Sequence, residues 1–243
     1  MVDQHYTHPD LVAVYDVFNC WGADRAFYAS LVGTTPLRIL EVGCGTGLIA
    51  RRIAEQGHDV TGLDPAPQML EFARSAPGGQ SVKWICGLLA DFDAAPFDLI
   101  FMTGHAFQCM LLDDEITAFF RAARRLLRPE GRLVFETRNA AVKAWENWTP
   151  EQSTATKVLP NGRSVTAYHE LQNVDVDVVS FRSVYQFPDQ RITSDSTLRF
   201  TMLDEVTAFA QAEGLALLEV FGDWNKSPLK PTSPEIIMTL GQA

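Results

Sequence analysis

The sequence predicts an α/β protein with a mostly parallel sheet, helices on both of its faces and an inserted layer of antiparallel strands. Short runs rich in branched apolar residues, such as 37–42 and 97–103, have the composition of buried parallel strands. Stretches with helical spacing of apolar residues separate these runs. From 154 to 202, polar and apolar residues alternate, which is typical of antiparallel strands.

The strand predicted at 37–42 runs directly into a loop with three glycines. Gly43, Gly45 and Gly47 alternate with other residues, and a helical pattern begins at Leu48. Glycine permits a tight turn at positive φ and lets a ligand approach the bare backbone. Backbone N–H groups at the start of the following helix point toward whatever binds there. The loop is therefore predicted to hold a cofactor.

The spacing around this loop restricts the ligand. A phosphate-binding Walker loop needs a lysine followed by serine or threonine, and neither follows Gly47. The dinucleotide fingerprint places its third glycine three positions after the second, so the alternation disfavours NAD without excluding it. The strand predicted at 58–64 ends in Asp64, roughly 20 residues beyond the loop, where a carboxylate can accept hydrogen bonds from ribose hydroxyls.

Together with Asp64-Pro65 and the helical pattern at 68–74, the glutamate-led glycine loop resembles the class I S-adenosylmethionine-dependent methyltransferases of the small-molecule type. The resemblance implies a Rossmann-like, seven-stranded sheet with one antiparallel edge strand. It also implies S-adenosylmethionine as the cofactor and an oxygen or nitrogen atom of a small molecule as the methyl acceptor. The expected cofactor contacts are Glu41, Gly43, Cys44, Gly45, Gly47, Asp64, Pro65, Met69, Leu88, Leu89, Asp91 and Thr103.

One position departs from the family pattern. Relatives usually carry an acid directly after the glycine that follows the third strand, where it accepts from the adenine amino group. This chain has Leu88 after Gly87. Asp91, or backbone groups near Leu88 and Leu89, are the candidates to serve instead, and an ordinary loop carboxylate is the alternative for Asp91.

Methyl transfer from a sulfonium needs little chemistry from the protein beyond aligning two reactants and excluding water. A general base matters only when the accepting atom carries a proton that must leave. His105 is the candidate base, because it follows the fourth predicted strand and ligands bind beyond the carboxyl ends of such strands. A structural, hydrogen-bonding histidine is the alternative. Weaker candidates for acceptor contacts are Tyr15, Phe18, Arg138, Tyr168 and His169.

The organisation predicted from these patterns has three parts. Residues 1–140 hold N-terminal helices and the cofactor-binding core, 141–200 form an antiparallel cap inserted after strand 5, and 201–243 complete the core sheet. Turns are expected at 160–162 and 188–190, and a strand is expected through Val174, Val176 and Val178. The cap is expected to roof the ligand crevice.

Composition and charge argue against nucleic acid, a membrane and a metal ion as partners. A net charge of −10 disfavours nucleic acid, and no apolar run approaches the roughly 20 residues of a membrane span. Four cysteines without paired spacing predict free thiols and no metal site. A cytoplasmic enzyme with a small-molecule substrate is expected, and a homodimer is left open. The alternatives are a non-catalytic module that binds S-adenosylmethionine and an NAD-dependent oxidoreductase.

Overall fold

The computed structural model describes residues 2–243, which form two β-sheets and eight α-helices with short 3₁₀ turns between them. The strands are β1 (Arg38–Val42), β2 (Asp59–Asp64), β3 (Lys83–Cys86), β4 (Phe97–Met102), β5 (Leu127–Arg138), β6 (Ala155–Val158), β7 (Ser164–Asp175), β8 (Val178–Gln186), β9 (Arg191–Arg199), β10 (Leu215–Phe221) and β11 (Glu235–Gln242). The helices are α1 (Gln4–Thr7), α2 (Pro9–Phe18), α3 (Ala23–Ala29), α4 (Leu48–Ala54), α5 (Pro67–Ser75), α6 (Asp113–Leu126), α7 (Pro150–Ser153) and α8 (Leu203–Ala212).

The core sheet has seven strands in the order β10-β11-β5-β4-β1-β2-β3. Strands β1 to β5 are mutually parallel, and β11 is antiparallel to both of its neighbours. This confirms the Rossmann-like, mostly parallel sheet. The prediction that the antiparallel strand lies at the edge is wrong, because the antiparallel strand β11 lies inside the sheet and β10 forms the edge. The chain turns back after β10 and inserts β11 between β10 and β5.

Helices cover both faces of this sheet. One face packs α6 and α8 against a cluster that includes Leu40, Ile100, Phe120 and Phe135, all fully buried. The other face packs α3 and α4 against Ile39 and its neighbours. Because the strands are enclosed on both sides, their sequences are nearly continuous apolar runs, as expected for parallel strands. Within the described residues, no helix combines the length and apolar character needed to cross a membrane.

The boundary between α6 and β5 falls earlier than the sequence suggests. Pro129 and Gly131 are residues that typically end a helix, but α6 already ends at Leu126 and β5 begins at Leu127. The pairing of β5 with β4 contains a register shift after Phe97. A Cβ at Gly131 would lie 2.9 Å from the Phe97 carbonyl oxygen, so glycine allows this irregular start of the strand.

The second sheet is an antiparallel meander in the order β6-β7-β8-β9. The expected turns join β6 to β7 and β8 to β9, the first with Gly162 at φ +81. The strand expected through Val176 is wrong: the chain reverses at this residue, and Asp175 pairs with Val178. Val176 is exposed and adopts φ +53, an unfavourable region for a β-branched residue. The turn could not be predicted, because this left-handed position holds valine and not glycine or asparagine.

The second sheet packs against the N-terminal helices and against the core. Leu11 and Val14 of α2 share a buried cluster with Tyr185 and Ile192 of the cap strands. At the other end, Arg199 Nη1, Nε and Nη2 donate to carboxylates of Asp113, Asp177 and Glu205 over 2.6, 2.9 and 2.7 Å respectively. These contacts join the cap sheet to the starts of α6 and α8.

Candidate active site

A cavity of about 450 Å³ lies at the carboxyl ends of β1 to β4, the edge of the sheet where ligands bind in open α/β folds. Its volume falls within the usual range of ligand pockets. All of its lining residues lie between Val2 and Phe119, so the cap strands contribute none. Of the predicted site residues, the cavity wall includes Tyr15, Gly43, Gly45, Asp64, Pro65, Leu88, Leu89 and Thr103.

The glycine loop is fastened to the end of β2 by its own backbone. Gly43 N and Cys44 N donate to Leu63 O over 2.8 and 3.1 Å, and Gly45 N donates to Asp64 Oδ2 over 2.7 Å. Gly43 and Gly45 adopt φ +68 and +53, which only glycine tolerates easily. A Cβ at Gly45 would meet no atom within 4 Å, so this stretch of backbone faces open space in the cavity wall.

Gly47 has a different role from its two neighbours. It adopts φ +71, and a Cβ there would lie 2.1 Å from the Trp84 ring. The Trp84 indole N–H donates to Gly79 O over 2.8 Å, which fixes the ring in place. Gly47 is thus required by the packing of β3 against α4. Cys44 and Met69 are buried and do not line the cavity.

Asp64 anchors the loop and also lines the cavity. Its Oδ1 accepts from Ala66 N over 2.8 Å, while its Oδ2 accepts from Gly45 N. Burial raises the pKa of this carboxyl, and the two backbone hydrogen bonds oppose that rise. Each carboxylate oxygen can accept more than one hydrogen bond, so acceptor capacity remains for a ligand.

Glu41, at the end of β1, is a buried carboxyl with an unmet hydrogen bond. Its Oε2 has no partner among residues 2–243, and Thr103 Oγ1 lies 3.5 Å from its Oε1. Burial raises the pKa of Glu41 to about 8. An orphaned buried carboxyl beside the glycine loop fits a ligand with a cationic group, which would satisfy the oxygen and favour its ionised form.

The far end of the cavity is apolar. Leu88, Leu89 and Ala90 line it together with Ala118 and Phe119 of α6, and the turn at Leu89–Asp91 contacts that helix. Leu88 is 58% exposed although it is a large apolar residue. Asp91 is exposed and is not part of the cavity wall, whereas Asp114, at the start of α6, is. No sequence pattern predicts that Asp114 lines the cavity, because the approach of α6 to the cavity depends on tertiary packing.

The N-terminal helices close the cavity near the glycine loop. Tyr6 and Tyr15 line its wall, and burial raises the pKa of Tyr15 to about 12. Thr46 Oγ1 donates to Asp16 Oδ1 over 2.5 Å, which ties α2 to the loop. Sequence reasoning overlooked Tyr6, whose short helix offers too little periodicity. Phe18 instead packs against Tyr185 of the cap.

His105 lies beside the cavity but does not line it. Its backbone N–H donates to Glu136 Oε1 over 2.8 Å, and its Nε2 lies 2.9 Å from Glu235 Oε2. Burial lowers the pKa of His105 to about 4, with Arg138 acting in the same direction, and burial raises the pKa of Glu235 to about 7. The imidazole is therefore neutral at pH 7, but one of its nitrogens is engaged by Glu235. The assignment of His105 as a base stays a prediction.

The remaining candidates for acceptor contacts, Arg138, Tyr168 and His169, do not line the cavity. Arg138 Nη1 donates to Gln108 Oε1 over 2.8 Å, and its guanidinium lies over the Trp148 ring. His169 contacts Ser183 within the cap, with His169 Nδ1 and Ser183 Oγ 3.1 Å apart. Tyr168 is on the same strand, near Arg191. Cys109 does line the cavity, and burial raises the pKa of its thiol to about 11.

A glycine loop after β1, an acid at the end of β2 and a cavity beyond the strand ends define a Rossmann-like cofactor-binding domain. Residues 39–131 match the family model described as a methyltransferase domain. A ubiquinone biosynthesis O-methyltransferase from Idiomarina loihiensis is 34% identical over 116 residues, which cover 44% of this chain and 45% of that relative. The chain spans about half the length of the curated relatives it matches.

Solved structures match nearly the whole chain. The CcbJ methyltransferase from Streptomyces caelestis has a TM-score of 0.75 at 21% identity, with 95% of this chain and 96% of that one covered. The S-adenosylmethionine-bound CalS10, an amino pentose methyltransferase from Micromonospora echinaspora, has a TM-score of 0.68 at 22% identity, with 93% and 96% covered. The chain thus contains a segment similar to methyltransferase domains, and as a whole it shares the fold of these two methyltransferases.

Proposed function

We propose that this protein transfers a methyl group from S-adenosylmethionine to an oxygen or nitrogen atom of a small molecule. The observation that supports this most is the cavity at the strand ends, which Gly43, Gly45 and Asp64 line. The orphaned carboxyl of Glu41 is buried two residues before Gly43 and is not part of the cavity wall. The cofactor supplies a methyl group on a positively charged sulfur, already activated for displacement. It carries no phosphate, in agreement with the absence of a lysine from this loop.

Different residues of the site would bind different parts of the cofactor. Asp64 would accept from the ribose hydroxyls, and Glu41 would accept from the ammonium group of the methionine part. Gly43 and Gly45 allow close approach to the backbone, and Thr103 contributes to the wall at the end of β4. Tyr6 and Tyr15 shield this region from water.

The catalytic contribution of the protein is mainly alignment. Holding two reactants in the attacking geometry can lower the barrier by about 7–11 kcal/mol. A base adds typically 10²–10⁴-fold and is required only for acceptors that lose a proton in the transfer step. An amine that is already neutral needs no base before attack, whereas a hydroxyl does. His105 is proposed for this role through the ring nitrogen that Glu235 leaves free.

The acceptor class is less constrained than the cofactor. The O-methyltransferase relative matches 44% of the chain, whereas the fold of the amino pentose methyltransferase covers 93% of it. Amino sugars therefore belong in the acceptor panel beside phenols and carboxylic acids. The net charge of −10 supports a small acceptor rather than a nucleic acid.

Binding and turnover together test the proposal. S-adenosylhomocysteine should bind the wild-type protein, and NAD should not. Asp64→Ala should weaken that binding by about 1–3 kcal/mol through lost charge-assisted hydrogen bonds, while Tyr168→Phe in the cap leaves it unchanged. Unchanged affinity in a folded Asp64→Ala protein would refute the ribose contact.

The acceptor panel then separates an enzyme from a binding module. Methyl transfer to any amine, phenol or acid, detected by mass spectrometry, supports catalysis. Cofactor binding without transfer to any of them would favour the non-catalytic alternative. If His105 is the base, His105→Ala should lower turnover much more than cofactor affinity. Equal turnover of the variant and the wild type would leave alignment as the whole mechanism.

A further inference from the structure

The cavity has one end suited to a flat aromatic group. Leu88 and Leu89 after β3 and Ala118 and Phe119 of α6 all line the cavity, and the turn at Leu89–Asp91 packs against α6. This apolar part of the wall is called the slot here; it follows β3, the neighbour of the strand that ends in Asp64. A ribose held by Asp64 at the end of β2 would direct its base toward the loop after β3, which is this slot. The inference below rests on the proposed function.

An adenine in this slot carries an amino group that needs a hydrogen-bond acceptor. A buried donor without a partner is costly, so a site that binds adenine should provide one. In the loop after β3, the apolar Leu88 lines the cavity, whereas the carboxylate of Asp91 lies outside the cavity wall. The carboxylates in the wall near this end are Asp114 and Glu115 of α6.

The two carboxylates of α6 are not equivalent. Glu115 Oε2 accepts from Leu111 N and Leu112 N over 2.8 and 3.0 Å, so it is occupied in closing the start of the helix. Asp114 takes no part in that cap. It lies four residues before Ala118, and residues with this spacing share one helix face. Its side chain is therefore on the face that borders the slot.

We propose that Asp114 accepts the hydrogen bond from the 6-amino group of the adenine, in place of the acid that relatives carry at position 88. Asp114 makes the site selective for a 6-amino purine over a 6-oxo purine, because the oxo group presents a second acceptor to the carboxylate. The simpler role for Asp114 is to stabilise the positive end of the α6 dipole. That role predicts no dependence on the purine substituent.

The test compares S-adenosylhomocysteine with its deaminated form, S-inosylhomocysteine, by calorimetric titration. The wild type should bind the adenosyl compound about tenfold or more tightly, since a site built for one hydrogen bond disfavours the analogue that cannot make it. Asp114→Asn should abolish this preference, because an amide can donate to the 6-oxo group as well as accept from the 6-amino group. Asp91→Asn is the matched control and should keep the wild-type preference.

Other results would overturn the proposal. Loss of selectivity in Asp91→Asn but not in Asp114→Asn would assign the contact to Asp91, and selectivity kept in both would assign it to the backbone near Leu88. If Asp114→Asn does not fold, Asp114→Ser, which keeps a residue favourable at a helix start, should show the same loss. The double variant Leu88→Asp/Asp114→Asn puts the acid at the position where relatives carry it. A restored preference for the adenosyl compound would support the proposal that Asp114 replaces that acid. Wild-type protein that binds neither compound would refute the proposed function itself.

Discussion

The core sheet is enclosed on both faces, whereas much of β6 and of the second half of β7 in the cap sheet is exposed. The two regions also divide the site. No residue beyond Phe119 lines the cavity, and the family-model match at 39–131 also ends before the cap. The candidate cofactor site is thus built on the enclosed core, whereas the cap adds a more exposed layer that contributes nothing to the cavity wall.

The largest effect is expected from Gly47→Ala in the core. It combines a left-handed backbone, at about 1–2 kcal/mol, with a clash against Trp84, at about 1–3 kcal/mol. We expect a loss of about 3 kcal/mol in the free energy of unfolding, measured by urea denaturation. Gly45→Ala is the control, because its Cβ meets open space and only the backbone cost applies. Equal losses in the two variants would contradict the role of Trp84.

Arg199→Ala should lower the stability of the protein without changing cofactor affinity, because Arg199 joins the cap to the core. It removes hydrogen bonds to three carboxylates that are themselves partly exposed and can be hydrated, so a loss of about 1.5–3 kcal/mol in stability is expected. Affinity for S-adenosylhomocysteine should stay within about twofold, because one charged hydrogen-bond network is lost without touching the cavity. A large loss of affinity at unchanged stability would show that the cap shapes the cofactor site.

The buried carboxyl of Glu41, in the core, should make both the stability of the protein and its affinity for the cofactor depend on pH. Its folded-state pKa of about 8 lies above the usual value, so the empty protein loses stability as pH rises toward 8. A cationic ligand prefers the ionised carboxylate, and its affinity should therefore rise with pH, by at most about tenfold per unit between pH 6 and 7. Titrations in buffers of different ionisation enthalpy would detect the proton released. Glu41→Gln should flatten the profile, and an unchanged profile in that variant would assign the titration elsewhere.

The smallest effect is expected in the cap. Val176→Asn should stabilise the protein by about 0.5–1 kcal/mol, because asparagine tolerates the left-handed region better than a β-branched residue. Thermal unfolding would measure the gain. Val174→Asn, at an extended position on the neighbouring strand, is the control and should not stabilise. A destabilised Val176→Asn protein would argue against strain at this turn.

The predictable features are those with a local cause. The glycine loop, Asp64 and the strands of the core follow from residues adjacent in sequence, and turn residues such as Gly162 mark the cap hairpins. The reversal at Val176 lacks any such residue, and the position of β11 inside the sheet depends on strand pairing over long distances. Tyr6 and Asp114 reach the cavity only because distant helices pack around it.

The central claim is that the cofactor binds at the ends of β1 to β3 and makes no contact with the cap. Hydrogen exchange with and without saturating S-adenosylhomocysteine tests it most directly. We expect slower exchange in peptides covering 42–48, 63–67 and 87–92, and unchanged exchange in peptides covering 164–186. Protection of the cap peptides with none in the glycine loop would contradict the account.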